Sequence, residues 1–172
     1  MDLIVREFIR ASVDGEIKNW RLKLVGAGAK LAELEGIVAE HNADELVVIT
    51  PPVPREVVFE LMQEADALYL SLQKSFVFEH TIPSKVFDYL AMSRPILSAI
   101  GGEGREIIES TGANLCVEPG DAAGLQVALE TLSCEIETLQ SKAIANRKLV
   151  LERFTREKAV EQLLVALNRV TN

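Results

Sequence analysis

The chain has 172 residues, enough for one domain with a full core. Hydrophobic residues make up 48% and charged residues 26%, the profile of a globular protein, and no apolar run approaches the ~18 residues that cross a membrane as a helix. The net charge of −8 argues against general nucleic-acid binding, which wants a basic face, and Cys116 and Cys134 form neither a disulfide framework nor a metal pattern.

In chain order, Leu3, Ile4, Phe8 and Ile9 recur at helical spacing and predict a helix from about Asp2 to Val13. A turn at Asp14-Gly15 leads to a strand over Arg21–Val25 and a tight turn at Gly26-Ala27-Gly28. Leu31, Leu34, Ile37 and Val38 mark the next helix, and Leu46–Thr50 is a continuous apolar strand. Pro51 to Pro54 breaks the chain. Pro54 starts a helix whose Val57, Val58, Leu61, Met62 and Ala65 make one stripe. Ala67–Leu72 is the next strand.

Thr81-Ile82-Pro83-Ser84 opens a central helix, with Thr81 a candidate cap. Val86, Phe87, Leu90 and Ala91 form its apolar stripe; Ser84, Lys85, Asp88, Tyr89 and Met92 fall on the other side. The helix ends near Ser93-Arg94, before Pro95. A buried strand over Pro95–Ile100, a Gly101-Gly102 turn, a helix Gly104–Ser110 and a strand Ala113–Val117 follow. Asp121 caps a helix to about Leu132, and Glu135–Phe154 and Glu157–Val170 read as two terminal helices.

Such β/α alternation predicts an α/β fold: a Rossmann-like parallel sheet flanked by helices. Sheets of this kind bind ligands beyond the C-terminal ends of their strands. The Gly26–Gly28 turn, the Pro51–Pro54 loop, the Phe76–Pro83 loop and the Gly101–Glu103 turn all belong to that edge.

The central helix carries the chemistry. A helix N-terminus presents unpaired N–H groups and a partial positive charge, a seat for phosphate. Lys85 adds a full charge, and Asp88, one turn on, can accept from two adjacent hydroxyls such as a ribose offers. The plainer alternative is a solvated amphipathic helix on which Lys85 pairs with Asp88. Arg94 and Arg105 are further cations for a diphosphate. Gly26 and Gly28 are turn glycines or a phosphate-facing turn, and Gly102-Glu103 is a turn or a pair of donor-facing amides. His41 reads as surface, and Cys116 as a core thiol.

These segments resemble GT-B glycosyltransferases of group 1 (family 4). Ile82-Pro83-Ser84-Lys85-Val86-Phe87-Asp88-Tyr89-Leu90-Ala91-Met92, then Arg94-Pro95-Ile96-Leu97, is similar to the family's donor-site helix and strand. Leu24-Val25-Gly26-Ala27-Gly28, Pro51 to Asp66, Gly102-Glu103 to Gly112, Val117 to Asp121 and Phe154-Thr155-Arg156-Glu157-Lys158 match in the family's order. The resemblance implies that residues 1–172 form a single nucleotide-sugar-binding domain, the C-terminal GT-B half, with 135–172 as terminal helices. It implies a retaining hexosyltransferase that moves a sugar from a UDP- or GDP-sugar to a polysaccharide or lipid-linked acceptor. Ser84 and Lys85 would hold the phosphate end, Asp88 the ribose, and backbone at Val53 the base, with Gly26, Gly28, Gly102 and Glu103 completing the donor site. The family's sugar-contacting acid falls at His80, with Glu79 beside it. No metal or cofactor is implied.

The family's half opens with a strand that appears to be lacking here, so the sheet should have a gap between Arg21–Val25 and Ala67–Leu72. The expectation is a part of a longer enzyme, inactive alone, whose partners are a nucleotide-diphosphate sugar and the missing N-terminal domain, with no nucleic acid. Peripheral contact with a membrane lipid-linked acceptor would run through that missing domain, and exposed sheet edges favour self-association. Met1-Asp2-Leu3 lacks a basic leader, and the expected location is cytoplasmic. The other function class is a non-catalytic nucleotide-binding or protein-interaction module on a GT-B-like half-fold.

Overall fold

The computed structural model describes residues 1–72 and 81–170. Helix α1 (Asp2–Val13) comes first, then strand β1 (Leu22–Val25), α2 (Leu31–Glu40), β2 (Val47–Thr50), α3 (Arg55–Glu64) and β3 (Leu68–Ser71). Helix α4 (Ser84–Ala91), β4 (Ile96–Ala99), α5 (Gly102–Glu109) and β5 (Leu115–Cys116) follow, and α6 (Ala122–Lys142), α7 (Ile144–Arg153) and α8 (Arg156–Val170) close the chain.

Every ladder is parallel, but the strands divide into two sheets. β1 pairs with β2, Leu22 opposite Val47 and Val25 opposite Thr50. β3, β4 and β5 form the other sheet in that order, Leu68 opposite Ile96 and Leu97 opposite Leu115. The break falls between β1 and β3, where the family resemblance implied a gap, and residues 2–13 are helix rather than a strand joining the two.

Two apolar clusters explain why the pieces hold. The first gathers Ile4, Val5, Phe8 and Ile9 of α1, Leu34 and Ile37 of α2, Val47 of β2, Leu97 and Ala99 of β4, and Leu125 and Leu129 of α6. Helix α1 therefore spans both sheets on one face. The second cluster joins Leu70, Ile96 and Ile100 to Val86 and Leu90 of α4 and Ile107 and Ile108 of α5, with Leu149, Val150 and Phe154 packed on it. All four residues of β4 are buried, because α1 and α6 cover one face and α4 and α5 the other. Each large side chain so buried contributes about 1.5–3 kcal/mol.

Several local expectations are corrected. Thr81 does not cap α4: Pro83 is the residue before its first turn, and no side chain caps it. Tyr89 is half-buried against the second cluster instead of lying on the polar side. Helix α5 starts at Gly102, two residues earlier than expected, and β5 shrinks to two residues. Helix α6 runs through Ser133 and Cys134 to Lys142, since neither Gly nor Pro stands between Leu132 and Lys142; the turn comes at Ala143. That turn is fixed from α7, where Asn146 Nδ2 donates to the Arg94 carbonyl at 2.9 Å. Helix α3 has its stripe, yet none of its residues is buried.

Candidate functional site

Within each sheet the strands run parallel, so β1 and β2 deliver their following turns to one edge and so do β3 and β4, and the start of α1 touches both ends, Asp2 accepting from Lys30 and Met1 lying beside Ser71. At the end of β1, Gly26 adopts φ +138°, a left-handed conformation that disfavours side chains, and its N–H donates to the Thr50 carbonyl at 3.0 Å. Gly28 has no positive φ; its carbonyl accepts from Leu31 N–H at 3.0 Å, turning the chain into α2. Beyond β2, Val53 is half-buried in the loop between Pro52 and Pro54. Beyond β4, Gly101 is extended and Gly102 turns at φ +66°, so the first amides of α5, with exposed Glu103 in its first turn, face the same edge.

Helix α4 begins at this edge. Ser84 and Lys85 are exposed in its first turn and Asp88 is half-buried one turn later. Residues four apart share a face, so Ser84 and Asp88 lie one above the other, with Lys85 beside them. Val86 and Leu90, on the opposite face, are fully buried, and the Phe87 ring packs 5.0 Å from that of Phe154. Apolar contacts thus fix the rotation of the helix and leave its polar residues at the surface. Among the described residues, no ion pair or hydrogen bond joins Lys85 to Asp88, unlike in the plainer reading of the helix.

A contact invisible in the helical pattern brings two helix N-termini together. A side chain at Gly104, in the first turn of α5, would meet Ile100 Cδ1 at 3.2 Å, Pro83 Cδ at 3.4 Å and Val86 Cγ2 at 3.7 Å. Glycine lets α5 approach the residue that precedes α4. Two sets of unpaired amides, each at the positive end of a helix dipole, consequently face one side of the molecule.

Two of the candidate cations do not join this group. Arg94 precedes β4 and so lies at the opposite edge of the sheet, where its guanidinium donates to the Gln63 carbonyl. Arg105 is held by Glu109 at 2.7 Å and by Glu118. His80 and Glu79 lie outside the described residues. His41 is exposed, with Nδ1 2.9 Å from the Ile37 carbonyl. Cys116 is partly buried: Ser98 Oγ donates to its sulfur at 3.0 Å, and burial pushes its thiol up to about 11. It is a packing residue and not a nucleophile at neutral pH. Burial, assisted by the neighbouring Asp88 charge, likewise raises the Tyr89 phenol above its ordinary value. Among the described residues, no group of His, Cys, Asp and Glu could hold a metal, and no helix is long and apolar enough to cross a membrane.

The sequence matches the family model described as "Glycosyl transferases group 1" over residues 1–135. The chain belongs to the group 1 glycosyltransferases. No curated protein matches it. Among solved structures, it is similar to the Anabaena HepE protein in complex with UDP and glucose, with a TM-score of 0.78 at 13% identity over 98% of this chain and 44% of that one. S. aureus TarM gives 0.79 at 12% identity over 95% and 31%. Sucrose-phosphate synthase from Thermosynechococcus elongatus gives 0.72 at 18% identity over 97% and 42%. The shared GT-B architecture is clear, and the chain spans less than half the length of each of these proteins.

The Gly104 contact and a buried polar cluster behind α4 were missed by reading the sequence. Asn146 is fully buried; its Oδ1 accepts from Thr111 Oγ1 at 2.6 Å and from Asn114 Nδ2 at 2.9 Å. Asn114 Oδ1 accepts from Ile96 N–H at 2.9 Å. The cluster ties α7 and the turn before β5 to the start of β4. Its only sequence signal is a set of polar residues in otherwise apolar segments.

Proposed function

We propose that this chain is the donor-binding domain of a retaining glycosyltransferase that uses a UDP- or GDP-sugar. The observation that carries the reading is the paired N-termini of α4 and α5, in contact at Pro83 and Gly104, with Ser84, Lys85 and Asp88 beside them. Amides at two helix starts and the Lys85 ammonium match a diphosphate, whose charge grows as the sugar leaves; holding that charge lowers the barrier. Asp88 accepts from the ribose hydroxyls. Backbone at Val53 meets the base, and the Gly26, Gly28 and Gly102-Glu103 turns let the main chain approach the donor. His80, with Glu79, takes the sugar contact. The assignment calls on no metal, because the cationic role falls to Lys85 and the amides.

The acceptor, a polysaccharide or a lipid-linked sugar, would be brought by a separate N-terminal domain in a longer enzyme working in the cytoplasm. Two facts support that division: structures of similar fold are more than twice as long, and one of them was solved with UDP and glucose. On this reading residues 1–172 bind donor but do not turn it over alone.

Calorimetric titration with UDP, GDP and ADP tests the site. Saturable binding to one of them, weakened about tenfold or more by Lys85→Ala and by Asp88→Ala, is expected, a charge-assisted contact contributing about 1.5–3 kcal/mol. Unchanged affinity in both variants would overturn the assignment. Absence of binding to all three would favour the second reading, a non-catalytic interaction module, which the divided sheet also supports.

A further inference from the structure

Past β2 the chain is stiffened by its own residues. Pro51, Pro52 and Pro54 each fix a backbone torsion and have no N–H to donate. The main-chain donor left in this loop is that of Val53, a half-buried residue, and among the described residues no hydrogen bond takes it. Pro54, with φ −53° and ψ 151°, then turns the chain straight into α3, whose first residue is Arg55.

Arg55 is exposed, yet it is held in place. Its guanidinium carbon lies 5.1 Å from the centre of the Phe59 ring, one turn along the same helix face, a cation–π contact. Among the described residues no carboxylate pairs with it, although Glu56 is its neighbour, and its N–H fork has no acceptor. Helix α3 buries none of its residues, so the core does not depend on this pair. A rigid loop thus ends on a planar, steadied set of donors beside the half-buried Val53.

We propose that Arg55, steadied on Phe59, reads the base of the donor nucleotide and that this base is guanine. The inference rests on the donor-site reading, in which Val53 meets the base, and adds the side chain that selects it. Guanine presents O6 and N7 side by side, two acceptors that match the guanidinium fork. Adenine keeps N7 but sets an amino donor beside it, and uracil offers O4 next to carbon, a single acceptor. Val53 N–H and carbonyl are then left for O6 and N1–H on guanine's adjoining edge. The substrate class is a guanosine-diphosphate sugar, and Arg55 is a specificity-determining residue.

The test is calorimetric titration with GDP, UDP, ADP and deaza-GDP, in which a C–H replaces N7. GDP is expected to bind about tenfold or more tighter than UDP and ADP, and about fivefold tighter than deaza-GDP. Arg55→Ala should abolish both preferences while leaving ADP affinity nearly unchanged. Should that variant fail to fold, Arg55→Lys, which keeps the charge and loses the fork, should abolish them too. Equal affinity for GDP and UDP, equal affinity for GDP and deaza-GDP, or a guanine preference that survives the substitution would each overturn the proposal. Lys85→Ala acts on the diphosphate and should weaken GDP, UDP and ADP alike. That result together with an unchanged base preference in Arg55→Ala would leave the donor site standing and sink this inference alone. Absence of binding to every diphosphate would overturn both.

Discussion

The two sheets differ in how they are covered. β3, β4 and β5 sit between two helix layers, and β4 is buried at every residue. β1 and β2 have one sealed face, where Leu22, Leu24 and Ile49 pack against the first cluster. On their other face Lys23 is exposed, Val25, Val48 and Thr50 are only half-buried, and α3 buries nothing. Stability in this molecule should therefore be concentrated around β4 and α4, where the proposed ligand residues also stand. A parallel sheet wants both faces covered, so the β1–β2 half is the part that gains from anything added.

The sharpest way to break this comparison is a matched truncation. Leu90→Ala, at a fully buried site, should cost about 2–5 kcal/mol in denaturant unfolding. Leu61→Ala in α3, half-buried, should cost clearly less. Equal losses would show that α3 is sealed after all. Next comes Asn146→Ala. It strands the Arg94 carbonyl, Thr111 and Asn114 inside the better-covered half, and about 1–3 kcal/mol of stability should go with them. A loss under a few tenths of a kcal/mol, on the scale of a surface substitution, would mean the cluster is not a structural anchor.

Gly104→Val is expected to cost about 1–3 kcal/mol by overpacking against Pro83, Ile100 and Val86. It should also weaken nucleotide binding, because α5 can no longer approach α4; stability loss with unchanged affinity would separate the contact from the site. The smallest effect is expected at the edge of the gap. Asp2 is held below its usual carboxylate range, first by its hydrogen bond from Lys30. A lowered native value stabilises above the ordinary carboxylate range and is lost as the pH falls through that native value. Asp2→Asn should lower Tm slightly at pH 7 and leave it unchanged in strong acid, as checked by thermal melts across pH; a pH-independent difference would remove the ion pair from the account.

Much of this was legible in the residues. Apolar periodicity located α1 to α5 and the strands, since each pattern is local. The family resemblance also implied where the sheet would part. Ser84, Lys85 and Asp88 could be grouped because one helix sets their spacing. What stayed hidden depends on contacts between segments far apart in the chain. Ala143 ends a helix without a breaker residue, because Asn146 is drawn to the Arg94 carbonyl. Gly104 reads only as the start of a helix until Pro83 lies against it. Arg94 and Arg105 looked like equal candidates with Lys85, but strand direction puts the first at the wrong edge and two glutamates occupy the second.

The division of the sheet also bears on the order of assembly. Each ladder joins strands that are neighbours in sequence: β1 with β2, β3 with β4, β4 with β5. Pairings of low sequence separation close cheap loops and form early. Each half can therefore nucleate by itself while the chain is still emerging, and α1 then draws the two together as its apolar face finds both.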